Sequence, residues 1–339
     1  MKWARFRYLN EFAIDHAPIL IGTCDRIDHL KNLVESLQNC FWAEKTDLYI
    51  AIDAPYAEEI RSVNQEIRRY CEGITGFASV IIINRPANLG PVENFNQAMD
   101  EMFETHTTLI LLEDDNIVAR NFLVYMNKAL RTFADDSNCF AVCAYNYTSQ
   151  FVEEPPVTDV FSAPYQSAWG VGYWRSKYKH PIQSVGERPV MSLLNPLTLF
   201  RMYRTNPPLF PAYVGAFLEG ALHADQQHSI NLIINNKYCI YPRHTKVINK
   251  GFDGSGMHCG NSDVSFHNDF EGQDKVEFTF VDIPSITDQH IRKNYYWFRV
   301  NIPSKWYKWL YAYVMYVGML VAGRGKIIWL RNALKKYLI

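Results

Sequence analysis

Short unbroken apolar runs alternate with segments of helical periodicity over the first 145 residues. The runs predict strands buried on both faces, and these cover residues 18–22, 47–52, 79–84, 108–112 and 139–144. Between them, apolar residues recur three and four positions apart, which predicts four helices. The first begins after Asp25, which is predicted to be its N-cap, and the others cover about 56–70, 92–103 and 119–133. This alternation predicts an α/β fold with a mostly parallel central sheet flanked by helices.

The second half of the chain is less regular. Proline clusters predict long loops over residues 150–213, followed by a helix over 219–235 and a short strand over 238–241. Residues 251–260 are rich in glycine, which predicts a mobile segment that closes over a bound ligand. Residues 309–323 form an uncharged, aromatic-rich stretch that is short for a membrane-spanning helix.

Composition narrows the class of protein. The 339 residues are 48% hydrophobic and the formal net charge is −1, which suits one large α/β domain and argues against nucleic acid as a partner. The seven cysteines are scattered without a Cys-x-x-Cys pair, so neither a zinc site nor a disulfide framework is indicated and a reducing compartment fits best. The N-terminus lacks the apolar core of a signal peptide, which predicts a cytoplasmic protein.

An acidic turn follows the fourth predicted strand. The apolar residues 109–112 run directly into Glu113, Asp114 and Asp115. Ligands of open α/β sheets bind at the carboxyl ends of the strands. Three adjacent carboxylates repel one another, and oxygen-rich clusters suit hard ions such as Mg²⁺ or Mn²⁺. The alternative interpretation is a solvated turn that opens the next helix.

Several common nucleotide and hydrolase motifs are absent from the sequence. No Gly-x-Gly-x-x-Gly follows the first strand and no Walker A loop is present, which argues against a dinucleotide-binding Rossmann site and a P-loop. No Gly-x-Ser-x-Gly elbow occurs, so a Ser-His-Asp hydrolase is not indicated.

Five motifs in order, over about residues 17–262, carry a resemblance to a known family. They are Thr23-Cys-Asp-Arg26, the strand ending in Asp53, the turn at 113–115, Ser167-Ala-Trp169-Gly170, and Asp225 with the downstream stretch 249–258. This set resembles nucleotide-sugar glycosyltransferases of the GT-A fold, both bacterial family 2-like transferases and N-acetylglucosaminyltransferase I. The resemblance implies a GT-A (Rossmann-like) sheet, an irregular acceptor-side half and a C-terminal helical extension.

The acidic turn resembles the Asp-x-Asp-type motif of these enzymes. The resemblance implies that Asp115 binds Mn²⁺ or Mg²⁺, which bridges the two phosphates of the donor and stabilises the departing diphosphate. Asp114 would lie near the ribose or the metal. Glu113 would not touch the metal but would accept hydrogen bonds from groups around the two aspartates.

The resemblance also assigns residues to the donor nucleotide. Thr23, Arg26 and Asp53 would hold the nucleotide, and Asn88 lies in a loop that resembles the one before the donor-facing helix. Each residue also has a purely structural alternative. Asp53 could be a turn residue before a proline, Arg26 could lie in solvent at the start of a helix, and Asn88 could stabilise an ordinary turn.

Four residues resemble those around the sugar and the acceptor. Trp169 and Gly170 would form a wall against the sugar, or Trp169 would simply pack in the core. Asp225 would be the catalytic base that accepts the proton of the acceptor hydroxyl; the alternative is a carboxylate on a helix surface, with Glu219 and Asp263 as rivals. His258 would reach the diphosphate or the metal, although its spacing from the glycines departs from the eukaryotic relative.

The predicted organisation is a glycosyltransferase domain over residues 1–298, with a nucleotide-binding half at about 17–145 and an acceptor half at about 146–298, and a basic aromatic extension over 299–339. No Asp or Glu occurs from residue 300 onward, so the extension suits the interface of an anionic membrane; the alternative is a helix packed on the domain, at a subunit contact for example.

The predicted function is metal-dependent inverting transfer of a sugar from a nucleoside diphosphate, UDP rather than GDP, to a hydroxyl of a glycan or lipid-linked saccharide. The resemblance and the basic tail favour bacterial surface polysaccharide synthesis, by a peripheral protein on the cytosolic face of the cell membrane. Two other classes stay open: a sugar-phosphate nucleotidylyltransferase, and a non-catalytic membrane-bound component of a polysaccharide assembly.

Overall fold

A central eight-stranded sheet organises the protein in its computed structural model, which describes residues 16–146, 158–180, 191–220, 223–255, 270–283, 285 and 306–335. Its strands are β1 (Ile19–Thr23), β2 (Asp47–Ile52), β3 (Ser79–Asn84), β4 (Thr108–Glu113), β6 (Cys139–Cys143), β7 (Val160–Ala163), β8 (Val171–Trp174) and β9 (Tyr238–Pro242). They lie side by side in the order β3-β2-β1-β4-β8-β6-β9-β7. Two further strands, β5 (Asn116–Val118) and β10 (Val247–Asn249), pair in a small antiparallel sheet.

Most strands of the central sheet point the same way. β3, β2, β1 and β4 are mutually parallel, β6 and β9 are parallel to each other, and only β8 and β7 run against their neighbours. The five strands predicted from apolar runs are all present, with bounds that differ by one residue at most. The predicted fold class, a mostly parallel sheet flanked by helices with a helical C-terminal part, is therefore confirmed.

Helices cover both faces of the sheet. The first four are α1 (Ile27–Gln38), α2 (Arg61–Glu72), α3 (Pro91–Thr105) and α4 (Phe122–Thr132). Along β1, Ile19 and Ile21 belong to the core on one face, whereas Leu20 belongs to the core on the other. Alternate side chains of a strand point to opposite faces, so a run of apolar residues is what a strand covered on both sides requires.

Five more helices lie in the second half of the described chain: α5 (Pro196–Thr205), α6 (Leu209–Glu219), α7 (Ala224–Ile234), α8 (Trp306–Ala322) and α9 (Arg324–Lys335). They enclose a third core, separate from the two beside the sheet, in which Phe210, Phe217, Ile233, Tyr316 and Met319 are buried. The indole Nε1 of Trp309 on α8 donates a 2.7 Å hydrogen bond to the carbonyl of Pro207. The C-terminal helices thus pack on the rest of the chain, and the division at residue 298 stays a prediction.

Three expectations from the sequence are wrong. Asp25 does not cap α1; the N-cap is Arg26, and Asp25 instead accepts a 2.9 Å hydrogen bond from the hydroxyl of Tyr56. The start of the helix expected over 219–235 is wrong: the helix is present as α7 over Ala224–Ile234, whereas Glu219 ends α6 and Gly220 adopts a left-handed conformation with φ +81°. The region expected to be loops over 150–213 contains β7, β8, α5 and the start of α6. Proline did not exclude helices here because it is tolerated at the first position of a helix, as in α5.

None of the helices in the described part of the chain is long and apolar enough to cross a membrane.

Candidate active site

The acidic turn lies where the carboxyl ends of β1 and β4 meet. β1 and β4 are adjacent parallel strands, with Gly22 opposite Glu113. The hydroxyl of Thr23, at the end of β1, donates a 2.9 Å hydrogen bond to Oδ2 of Asp114. Gly22 is needed here, since a Cβ at this position would lie 2.6 Å from the ring of Phe95. Neighbouring parallel strands thus bring Thr23 and the acids together, as the sequence predicts.

Arg26 neutralises part of this negative charge. Its Nη1 donates a 2.7 Å hydrogen bond to Oδ2 of Asp115, and its Nη2 pairs with Oδ1 of Asp114. Although burial works against the charged form of Arg26, the two aspartates raise the pKa of its guanidinium further above its usual value. Because Arg26 begins α1 directly after β1, its side chain reaches both carboxylates across the strand ends.

One guanidinium does not balance three adjacent carboxylates. Burial, with Asp115 as a further cause, raises the pKa of Asp114 to about 6 despite the pairing with Arg26. Burial and then the charges of Asp115 and Asp114 raise the pKa of Glu113 to about 8. The negative charge of Asp225 adds to this rise as the smallest of the causes. The turn thus holds more acidic groups than Arg26 can balance, and Glu113 retains its proton at neutral pH.

The raised pKa of Glu113 predicts a pH dependence of stability. The folded protein retains a proton that the unfolded chain has lost above its usual value near 4.5, so the free energy of unfolding falls as the pH rises. Asp114 contributes in the same sense only up to about pH 6. We expect Glu113→Gln to flatten the decline in melting temperature between about pH 6 and 8, measured by circular dichroism in metal-free buffer. A slope equal to that of the wild-type protein would contradict this prediction.

A short strap from the second half of the chain closes over the acidic turn. β10 pairs with β5 so that Asn249 lies opposite Asn116. The amide of Asn249 donates a 3.0 Å hydrogen bond to Oδ1 of Asp115, and its Oδ1 accepts one of 2.7 Å from the backbone N–H of Gly251. A Cβ on Gly251 would lie 2.3 Å from Oδ2 of Asp115, so no other residue fits there without displacing the acid. Asn249 and Gly251 belong to the stretch 249–258 that carries the resemblance, but no role of their own in the site is predicted for them from the sequence.

The described part of the glycine-rich segment, residues 251–255, contacts α1. Asp253 pairs with Nε2 of His29 on α1 at 2.9 Å and accepts hydrogen bonds from the backbone and hydroxyl of Ser255. The hydrogen bonds from Ser255 lower the pKa of Asp253 to about 2. These contacts connect the segment to α1, and its mobility and closure over a bound ligand stay predictions. His258 lies outside the described residues, and its role stays a prediction.

Asp53 organises the neighbouring loop. Its carboxylate is buried and accepts hydrogen bonds of 2.8–3.1 Å from the backbone N–H groups of Ala54, Leu89 and Gly90 and from the amide of Asn88. The amide of Asn88 also donates a 2.7 Å hydrogen bond to the carbonyl of Ala54. Asp53 and Asn88 are thus brought together, and their contacts fix the loop before α3. Binding of the nucleotide by either residue stays a prediction.

Trp169 and Gly170 lie beside the strap. The half-buried indole of Trp169 makes edge-to-face contacts with Tyr145 at 4.6 Å and with Phe252 at 5.9 Å. Gly170 has φ +69°, and a Cβ there would lie 2.6 Å from Cγ2 of Val247 on β10. Gly170 is therefore required by close packing under the strap. The position of Trp169 beside Phe252 leaves its proposed contact with a sugar as a prediction.

Asp225 lies in the first turn of α7, half-exposed. Its backbone carbonyl accepts a 2.7 Å hydrogen bond from the hydroxyl of Ser229, which in turn accepts one of 3.0 Å from the backbone N–H of Gln166. A helix N-terminus favours the charged carboxylate. Of its rivals, Glu219 is exposed at the end of α6, and Asp263 lies outside the described residues.

The donor set suits a divalent cation bound together with a ligand. No group of three or more His, Cys, Asp or Glu side chains in the described ranges is arranged to hold a metal ion by itself. Mg²⁺ is usually bound by one or two carboxylates together with phosphates of the substrate rather than by a cage of protein ligands. Asp114 and Asp115 supply two such carboxylates, and a cation would balance the acidic groups that Arg26 does not.

Comparisons with known proteins give only distant similarities. No protein-family model and no curated protein matches the sequence. Among solved structures, S. aureus TarS 1–349 in complex with UDP is 13% identical, covers 45% of this chain and has a TM-score of 0.31. Mannosyltransferase PcManGT from Pyrobaculum calidifontis, in complex with GDP-Man and Mn²⁺, is 11% identical over 66% of this chain and 72% of its own, with a TM-score of 0.36.

Mouse xyloside xylosyltransferase 1 is 12% identical over 65% of this chain and 82% of its own, with a TM-score of 0.31. This chain spans only 28% and 45% of two TarS chains. At these scores the similarities carry no inference about this protein, and the site must be judged by its own chemistry.

Proposed function

We propose that this protein is a metal-dependent, inverting glycosyltransferase that moves a sugar from a nucleoside diphosphate, UDP in the first instance, to a hydroxyl of a glycan. The observation that carries the proposal is the cluster of Arg26, Asp114 and Asp115 at the ends of β1 and β4, with Asp225 acting electrostatically on the same turn. A cation-binding acid pair and a separate carboxylate are the two parts that such a transfer needs.

On the donor side, the acid pair and Arg26 would meet the diphosphate. Asp114 and Asp115 would hold Mn²⁺ or Mg²⁺, which supplies Lewis-acid stabilisation of the charge on the departing diphosphate. Arg26 would turn from the aspartates to the phosphate oxygens, for which its planar guanidinium is suited. Thr23 would keep Asp114 oriented through its 2.9 Å hydrogen bond. Asp53 would keep the Asn88 loop in place for the nucleotide.

On the acceptor side, Asp225 would take the proton from the acceptor hydroxyl. The oxygen then bonds to the anomeric carbon while the bond from that carbon to the diphosphate breaks, and the diphosphate departs with the electron pair. Attack on the face opposite the leaving group inverts the anomeric configuration. The exposed part of Trp169 would pack against the C–H face of the sugar, as aromatic rings do with apolar surfaces.

A thermal-shift panel of UDP- and GDP-sugars, each with and without Mn²⁺, tests the donor. A ligand that binds only the folded state raises the melting temperature. We expect a UDP-sugar with Mn²⁺ to raise it and either component alone to do so less. Absence of a shift with every nucleotide sugar would overturn the proposal.

Two further readouts separate the alternative functions. Release of UDP in the presence of Mn²⁺ would separate an enzyme from a non-catalytic component of an assembly. Formation of a nucleotide sugar from a nucleoside triphosphate and a sugar phosphate would instead indicate a nucleotidylyltransferase. We further propose a glycan or lipid-linked saccharide acceptor in bacterial surface polysaccharide synthesis at the cytosolic face of the membrane, which is tested by supplying such acceptors to the loaded enzyme.

A further inference from the structure

α8 is apolar on two opposite sides, although only one side is covered. Ala312, Tyr316 and Met319 are buried against the third core. On the other side, Leu310, Val314 and Val321 are exposed. A helix that is apolar all round is normally buried or lies in a membrane. Its 17 residues span only about 25 Å, less than the roughly 30 Å of a bilayer core, so α8 does not fit as a membrane span.

The exposed apolar surface extends beyond α8 to two neighbouring helices. On α5, Leu197 and Phe200 are exposed, and Tyr203 contacts Trp309 of α8 with ring centroids 5.4 Å apart. On α9, Trp329 is 71% exposed. α9 packs against α8 where the side chain of Ile327 lies close to Gly318. We call the exposed sides of α5, α8 and α9 the outer face. It combines segments that are about 100 residues apart in the chain.

The charge of the outer face identifies its partner. α5, α8 and α9 contain no Asp or Glu, whereas Arg201, Arg204, Lys308 and Lys326 on them are exposed. The whole chain, by contrast, has a net charge of −1. A second copy of the chain would bring like charges together, which opposes association, whereas anionic lipids attract basic residues at a surface.

The aromatic residues of the outer face support the same partner. Trp306, Tyr307, Tyr311, Tyr313 and Trp329 are all exposed. Tryptophan and tyrosine are enriched where a protein meets the interfacial region of a bilayer, because each ring has an apolar body and a polar tip. A helix that combines such residues with flanking basic residues lies in the plane of the interface.

We propose that the outer face, formed jointly by α5, α8 and α9, docks in the plane of an anionic lipid bilayer. This inference does not depend on the proposed catalytic activity. It differs from anchoring by the C-terminal segment alone, because α5 contributes apolar and basic contacts of its own. The α5 contribution is therefore the part that the experiment must isolate.

Vesicle flotation of the full-length protein tests the docking. We expect it to float with vesicles of phosphatidylcholine mixed with phosphatidylglycerol, to float much less with phosphatidylcholine alone, and to detach as salt screens the charges. Each basic residue near an anionic surface contributes roughly a fivefold increase in affinity. Arg201→Gln with Arg204→Gln on α5 should therefore weaken binding by about 25-fold, whereas Lys45→Gln, at an exposed position elsewhere, should not.

Apolar variants test the outer face itself. Leu310→Ser with Val314→Ser should weaken flotation by about tenfold or more, and Phe200→Ser should weaken it through α5. Val281→Ser, at an exposed apolar position outside the face, is the matched control. Unchanged melting temperatures of the variants would show that they remain folded. Donor-induced thermal shifts, measured without vesicles, report on the active site separately.

Three results would overturn the proposal. The first is equal flotation with neutral and anionic vesicles, or none with either. The second is unchanged flotation of the α5 variants, which would leave the C-terminal helices as the only contact. The third is a wild-type dimer in solution that the Leu310 and Val314 changes convert to a monomer, which would make the outer face a contact between two copies.

Discussion

Replacing Asp115 by asparagine should lower Mn²⁺-dependent turnover of the UDP-sugar by about 10³-fold, because the variant loses the charge that would hold the cation against the diphosphate. The amide keeps nearly the same shape, so the contact between Asp115 Oδ1 and Asn249 at 3.0 Å can remain. Arg26 also keeps Asp114 as a charged partner. We expect the variant to unfold cooperatively, with a free energy of unfolding lower by about 1–3 kcal/mol, as measured by urea denaturation.

Asp47→Asn is the matched control for this prediction. Asp47 begins β2 at the opposite end of the sheet and accepts a hydrogen bond from Ser79. It should leave turnover unchanged. Wild-type turnover of the Asp115→Asn variant, or an equal loss of turnover in the two variants, would remove the assigned role of Asp115.

Replacing Asp225 by asparagine should separate donor binding from transfer. The variant lacks the base for the acceptor hydroxyl, so kcat should fall by about 10²–10⁴-fold. The side chains of Arg26, Asp114 and Asp115 bond to one another and to Thr23, Asn116 and Asn249. The thermal shift caused by the donor with Mn²⁺ should therefore match that of the wild-type protein. Single-turnover transfer and thermal shift measure the two effects independently.

Glu219→Gln provides the comparison, since Glu219 is exposed at the end of α6, six residues before Asp225. We expect it to transfer at the wild-type rate. If Asp225→Asn transferred normally while Glu219→Gln did not, the base assignment would move to Glu219. If Asp225→Asn lost donor binding instead, Asp225 would belong to the donor side of the site.

The half of the site on β1 and β4 could be predicted because apolar runs locate the strands and their ends, whereas the expectation that the first strand lies beside the fourth came from the resemblance to a known family. An apolar run followed by Glu113, Asp114 and Asp115 places acids at a strand end. The parallel neighbour β1 then brings Thr23 and Arg26 to the same edge. The sequence does not show that Arg26 bridges both aspartates, since that depends on the direction in which α1 leaves the strand.

The strap could not be predicted, because it depends on a contact between residues that are far apart in the chain. Asn249 and Asp115 are 134 positions apart, and their pairing follows from the match of β10 with β5. Strands of three residues are too short to give a periodic signal. The sequence shows only the apolar pair Val247 and Ile248 followed by Asn-x-Gly. The need for glycine at 251 becomes evident only when Asp115 is placed beside it.

The end of α6 at Gly220 has a signature in the sequence. A glycine after a run of helical residues is a common helix C-terminus, because it adopts the left-handed conformation without strain. By contrast, the sequence does not show that the backbone N–H groups of residues 89 and 90 bind the buried carboxylate of Asp53. It shows only an aspartate that precedes a turn. Helix ends follow local rules, whereas the partners of a buried carboxylate are set by tertiary packing.

The third core has a practical consequence for anyone preparing a shortened form of this protein. α8 covers Phe210 and its neighbours on α6, and α7 carries Asp225 at one end and reaches the same core with Ile230 and Ile233. A shortened protein that stops before Trp306 would leave this apolar surface open to water, which invites aggregation and loosens the helix under Asp225. Solubility is better sought by polar changes at Leu310 and Val314, which leave the inner side of α8 intact.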